Sequence, residues 1–204
     1  MTHVDETKSS PVTRRYLLIA TSAVTTIGAA GAAVPFARSW SPSEKAKALG
    51  APIEVDITKL TPGEIFKPAP VWRGKGIIVV YRTPEAVERL EAENRSLADP
   101  KSKRSVQPDY AKNLTRSIRP EIGVYLSQCT HLGCVPKYFG KAQPEQFDAR
   151  WQGGFFCPCH GSKFDLAGRV EKNLPAPTNL EVPVHQFEND NILHVGIDTE
   201  EFDE

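Results

Sequence analysis

Two short boxes constrain this 204-residue chain more than anything else in it, because they hold all four of its cysteines. The first is Cys129-Thr130-His131-Leu132-Gly133-Cys134, and the second is Cys157-Pro158-Cys159-His160-Gly161-Ser162. They also hold two of the five histidines. Any fold that uses them together must bring two loops, 22 residues apart, to one place. Six candidate ligands admit several chemistries. A structural zinc site takes four, commonly with Cys-x2–4-Cys spacing, and leaves two over. Two plain disulfides leave both histidines unexplained. A 2Fe–2S cluster held by two Cys and two His, with one disulfide beside it, matches the count.

The N-terminus sets the compartment. Tyr16 to Ala37 is a run of 22 residues without a charged side chain. As a helix it spans about 33 Å at ~1.5 Å per residue, enough to cross a bilayer core. Just before it stands Thr13-Arg14-Arg15-Tyr16-Leu17, the pattern of a twin-arginine export signal. The apolar run exceeds the roughly 7–15 residues of a cleaved signal's core, so it reads as a retained anchor. Arg14 and Arg15 then stay in the cytoplasm, and Trp40 is placed as an interfacial anchor. The rest of the chain lies outside, where disulfides persist.

The expected organisation is a cytoplasmic start at 1–15, a transmembrane anchor at 16–38, a flexible neck at 39–52 and an exported head at 53–204. The formal charge is zero, 25 bases against 25 acids, which argues against a general binder of nucleic acid. Five acids and no bases lie from Asp198 to the end, so residues 1–197 carry +5 (0 minus −5). Seventeen prolines, about 8% against a usual ~5%, suggest loops and short strands.

The head reads as mainly β. Ile53–Ile57 alternates strictly, Ile77–Tyr81 is a continuous apolar run, and Val124-Tyr125-Leu126 leads into the first box. Leu180–Phe187 and Ile192–Ile197 flank Glu188-Asn189-Asp190-Asn191 as a hairpin. One short helix is expected in an insertion, N-capped by Thr83 with Pro84 in its first turn and Val87, Leu90 and Leu97 on one stripe. Residues 101–119, with six bases and one acid, read as a solvated loop. Residues 137–152 read as a surface insertion, and His3, His185 and His194 as ordinary surface residues.

With the anchor, the neck, the β head and a Pro-rich segment after the boxes, Cys-Thr-His-Leu-Gly-Cys and Cys-Pro-Cys-His-Gly-Ser resemble the Rieske iron–sulfur subunit of ubiquinol–cytochrome c reductase. The resemblance implies a Rieske-type antiparallel β head with a cluster-binding subdomain at about 127–178. It implies that Cys129, His131, Cys157 and His160 ligate one 2Fe–2S cluster, and that Cys134 and Cys159 form a disulfide. Ser162 takes the place of the family's serine, whose hydroxyl bonds a bridging sulfide. Phe164 departs from the tyrosine of high-potential members, which implies a lower potential. Leu132 and Gly133 fall at the docking tip. Leu174-Pro175-Ala176-Pro177 resembles the loop that covers the cluster, with Leu174 where the family often has glycine.

By the same resemblance, His160 accepts a hydrogen bond from ubiquinol and takes a proton as one electron passes, and His131 shares the titration. The implied partners are cytochrome b and cytochrome c1, in a dimeric complex of a bacterial inner membrane with the head in the periplasm. Two alternatives stand beside this. One is the Rieske subunit of an arsenite-oxidase-like enzyme; the other is a zinc-stabilised periplasmic binding module.

Overall fold

The structure, a computed structural model, describes residues 11–92 and 97–197. The described residues divide into two compact units, one ending at Lys47 and the other beginning at Ala48. His3 and the acidic tail from Asp198 lie outside the described residues.

In the first unit, α1 (Pro11–Arg38) is a single 28-residue helix. Its hydroxyls turn back one helical turn onto backbone carbonyls: Thr21 to Leu17 at 2.8 Å, Ser22 to Leu18 at 2.7 Å, and Thr25 to Thr21 at 2.8 Å. Hydroxyls satisfied this way need no water, as an apolar surrounding requires. The stretch Thr13–Arg38 is long and apolar enough to cross a membrane. Trp40 follows it, edge-to-face on Phe36 with ring centroids 5.9 Å apart. The expected neck contains a helix that the sequence reading did not anticipate, α2 (Glu44–Gly50). Ser43 caps it, its hydroxyl accepting the Ala46 N–H at 3.2 Å, and Lys47 pairs with Glu44 at 2.8 Å.

Among the described residues, the second unit holds three antiparallel three-stranded sheets. The first joins β1 (Ile53–Asp56), β9 (Ile192–Val195) and β8 (His185–Phe187) in the order β1-β9-β8. The second orders β2 (Val71–Trp72), β3 (Lys75–Tyr81) and β4 (Ile122–Leu126) as β2-β3-β4. The third orders β5 (Lys137–Phe139), β6 (Gly154–Phe156) and β7 (Lys163–Phe164) as β5-β6-β7. The continuous apolar run of β3 now has a cause. Ile77 and Val79 pack with Val55, Val124 and Leu193 of the first two sheets, whereas Ile78 and Val80 pack with Phe155 and Phe164 of the third. A strand covered on both faces needs apolar residues at successive positions.

The predicted hairpin forms, with the Asn189 side chain accepting the N–H groups of Asn191 and Ile192 at 2.9 and 3.0 Å. Its first strand is shorter than expected, because Pro183 lacks a ladder donor. The helix α3 (Pro84–Ala92) forms, with Thr83 Oγ1 accepting the Ala86 N–H at 3.2 Å. Its buried stripe is Ala86 and Leu90; Leu97 lies beyond the helix and bridges to Glu171.

Two readings are corrected. The basic stretch 101–119 is not simply a solvated loop, because Arg116 is fully buried. Its guanidinium donates to the carbonyls of Ala167 at 3.2 Å and Leu180 at 2.7 Å, and to the Gln107 side chain at 2.9 Å. Burial pushes it down to about 10, against support from Tyr125 and Asp165. His185 is not a surface residue but fully buried in the core. Its Nδ1 lies 2.8 Å from the Pro183 carbonyl, and Tyr110 exchanges two bonds with its backbone, at 2.7 and 2.8 Å. Burial pushes His185 down to about 4. His194 does face outward on β9, 2.9 Å from Glu188.

Candidate metal centre

The two boxes form two loops of the same backbone design. Box one follows β4 and box two is the loop of the β6–β7 hairpin. In box one, the Cys129 N–H donates to Cys134 at 2.7 Å and the Cys129 carbonyl accepts from Gly133 at 2.9 Å. In box two, the Cys157 N–H donates to Ser162 at 2.8 Å and the Cys157 carbonyl accepts from Gly161 at 2.9 Å. Each loop turns back at a glycine in the left-handed region, Gly133 at φ 81° and Gly161 at φ 77°. A side chain there would be strained, which explains glycine at both places.

This shared turn buries the first cysteine of each loop, leaves His131 half-buried, and leaves Leu132, Pro158, Cys159 and His160 exposed. Cys129 and Cys157 are buried free thiols. Burial, first, and the neighbouring Cys157 thiol push Cys129 up, while the Ser162 hydroxyl works the other way. Cys134 and Cys159 are joined in a disulfide with Cα atoms 6.6 Å apart. The bridge closes a loop of separation 25, worth ~3–4 kcal/mol in the chain-entropy model. The sulfur atoms of Cys134, Cys157 and Cys159 lie within 4.8 Å of one another, but two of the three are spent in that bridge.

The histidines complete the constellation. Their rings meet edge-to-face with centroids 4.7 Å apart. His160 is exposed and His131 half-buried. The Nδ1 of His131 is buried without a hydrogen-bond partner. A buried ring nitrogen without a partner costs free energy unless something else occupies its lone pair. Two buried thiols, two adjoining imidazoles and that nitrogen fit a cluster held by two sulfur and two nitrogen ligands. With two thiols spent in the bridge, a four-cysteine zinc site is excluded.

The Pro-rich segment is tied to both loops. The Thr130 hydroxyl donates to the Thr178 carbonyl at 2.6 Å, and Ser162 Oγ accepts the Ala176 N–H at 3.0 Å. Pro175 and Leu132 are exposed, and Leu174 is half-buried. Phe164 is fully buried, opposite Phe155 in the β6–β7 pair and within the cluster of apolar residues that includes Cys129 and Cys157. Tyr138 of β5 packs on Phe155 with centroids 5.6 Å apart, and its hydroxyl donates to Gly63 at 2.8 Å.

The sequence reading missed Thr130 and Ala176 as ties to the Pro-rich loop; nothing in their own identity separates a tie from a filler. It also missed the residues that surround Lys163. The Lys163 ammonium meets Asp148 at 2.7 Å and Glu171 at 2.9 Å.

Residues 92–188 match the model of the Rieske 2Fe–2S domain, and residues 4–43 match that of the twin-arginine signal of ubiquinol–cytochrome c reductase iron–sulfur subunits. The ubiquinol–cytochrome c reductase iron–sulfur subunit of Allochromatium vinosum is 51% identical over 91% of this chain and 88% of its own length. That of Blastochloris viridis is 40% identical over 92% and 95%. The Rieske subunit of the mitochondrial cytochrome b–c1 complex of Neurospora crassa is 36% identical over 89% and 69%.

Proposed function

The chain belongs to the family of ubiquinol–cytochrome c reductase iron–sulfur subunits, carries a Rieske 2Fe–2S domain, and on that premise we propose how its residues perform the subunit's work. As a family member it is the membrane-anchored iron–sulfur subunit of an oxidoreductase complex. Cys129, Cys157, His131 and His160 would hold the cluster, through two buried sulfurs and two ring nitrogens. The cluster, when bound, supplies a one-electron acceptor whose potential is high because two ligands are neutral imidazoles.

The surrounding residues tune and orient. Ser162 sets its hydroxyl between Cys129 and the Pro-rich loop, and the Cys134–Cys159 disulfide keeps the two ligand loops together. His160, exposed at the tip beside exposed Leu132, accepts the hydrogen bond and then the proton of ubiquinol on its outer ring nitrogen. His131 stands against it, ring edge to ring face. Leu132, Gly133 and Pro175 form the surface that meets cytochrome b. Movement of the head on the segment at 39–52 would carry the same tip to the c-type cytochrome. The head lies in the periplasm, and the complex is a dimer.

The observation that carries this reading is the buried Nδ1 of His131, without a partner, beside His160 and two buried thiols. EPR of the reduced protein tests the ligand set: a Rieske-type signal is expected, and zinc in its place would overturn it. Purification through a tag on this chain tests the assembly. Recovery of b- and c-type haem proteins is expected, while recovery with an arsenite oxidase would assign the chain to that enzyme.

A further inference from the structure

We propose that the surface excursion between β5 and β6 is a brace for the second ligand loop, and that Phe147, Asp148 and Lys163 are positioning residues for His160. The proposal rests on the ligand assignment above. Box two is carried by a hairpin whose return strand, β7, is only two residues long. A pair that short does not hold a six-residue loop by its own ladder. Phe156 and Lys163 are the facing pair at its mouth, immediately outside Cys157 and Ser162. Their strand neighbours Phe155 and Phe164 point into the core, so Phe156 and Lys163 point out.

The dipeptide Phe147-Asp148 covers this outward pair. The Phe147 ring stacks on Phe156 with centroids 4.0 Å apart and planes 7° apart. The Asp148 carboxylate accepts from the Lys163 ammonium at 2.7 Å. From the other side Glu171 closes on the same ammonium at 2.9 Å, and its N–H donates to the Lys163 carbonyl at 3.1 Å. The three charged side chains are only 18–20% exposed, so these are not loose surface pairs.

The excursion is itself built to hold that dipeptide. Phe147 lies edge-to-face on Phe139 and Trp151, each at 5.1 Å. The Trp151 indole donates to the Phe139 carbonyl at 3.1 Å, and Glu145 and Asp148 exchange backbone bonds at 2.9 and 3.1 Å. One brace therefore grips the mouth of the loop that carries Cys157, His160 and Ser162. Lys163 also links it to Glu171, just before the Pro-rich loop.

Three variants of the full chain in its purified complex test this: Phe147→Ala, Asp148→Ala and Lys163→Met. If charge alone were at work, removing the carboxylate and removing the ammonium would shift the cluster's midpoint potential in opposite directions. The brace predicts that all three shift it downward, because the loop's bonds to the cluster slacken, and that all three change the EPR line shape of the reduced protein. Release of iron to a chelator should be about fivefold faster, the equivalent of ~1 kcal/mol. Lys163→Arg should restore potential and release rate, and Phe147→Leu gives a milder probe should the alanine variant not fold. Opposite shifts for Asp148→Ala and Lys163→Met would overturn the proposal. So would lowered thermal stability with unchanged potential and line shape. Absence of a Rieske signal in the unsubstituted protein would reject the ligand assignment instead.

Discussion

The His131 and His160 rings stand edge-to-face at 4.7 Å, yet one is half-buried and the other is open to solvent. The buried Nδ1 of His131 lies without a hydrogen-bond partner, while His160 is the more exposed of the two rings. Replacing His160 by alanine should abolish the Rieske EPR signal, whereas replacing His194, which pairs with Glu188 on β9, should leave it intact. A His160→Ala protein that kept the unaltered signal would contradict the ligand assignment.

Ser162 is fully buried and its hydroxyl serves two neighbours, the Ala176 N–H at 3.0 Å and the Cys129 sulfur. Ser162→Ala removes both bonds and leaves a buried N–H unpaired, at a cost of about 1–3 kcal/mol. Denaturant unfolding should show that loss. Redox titration should show a lower midpoint potential, because a hydrogen bond that favours the more negative, reduced state has gone.

Phe164 is buried in the apolar cluster that contains both free cysteines. A hydroxyl added there would bring a hydrogen-bond donor into the same buried cluster as both thiols. Phe164→Tyr should therefore raise the midpoint potential, read by the same titration. An unchanged or lower value would show that this position does not tune the site.

The buried His185 makes stability depend on pH. Its folded value is pushed down to about 4, against an ordinary 6.5. Between those values the unfolded chain binds the proton and the folded one does not. Stability is then full above about pH 6.5 and falls as pH drops toward 4, by ~3 kcal/mol in all. Unfolding curves across that range should show this loss, and His185→Phe should flatten it.

Much of the site was legible because its chemistry is local. In both boxes the Cys-x-x-x-Gly turn buries its first cysteine more deeply than its histidine. The Cys134–Cys159 bridge that the family resemblance implied forms. His185 was misread for the opposite reason. It sits in a strand beside a proline-interrupted run, and its cover comes from Tyr110, 75 residues away, whose approach no local pattern announces. Arg116 was misread likewise, because carbonyls at 167, 168 and 180 converge on it from elsewhere in the chain.

By itself the sequence determined the long apolar N-terminal helix, the residue types and glycine turns of both boxes and the β character of the head. Each of these depends on residues close together in the chain: an uncharged run, a spacing, a glycine, an alternation. Only the tertiary structure decided which face of β3 meets which sheet, and that Phe147-Asp148 covers Phe156 and Lys163. Those contacts join residues that local patterning treats as independent. They form where burying apolar surface and satisfying charge across the whole fold leave room for a single arrangement.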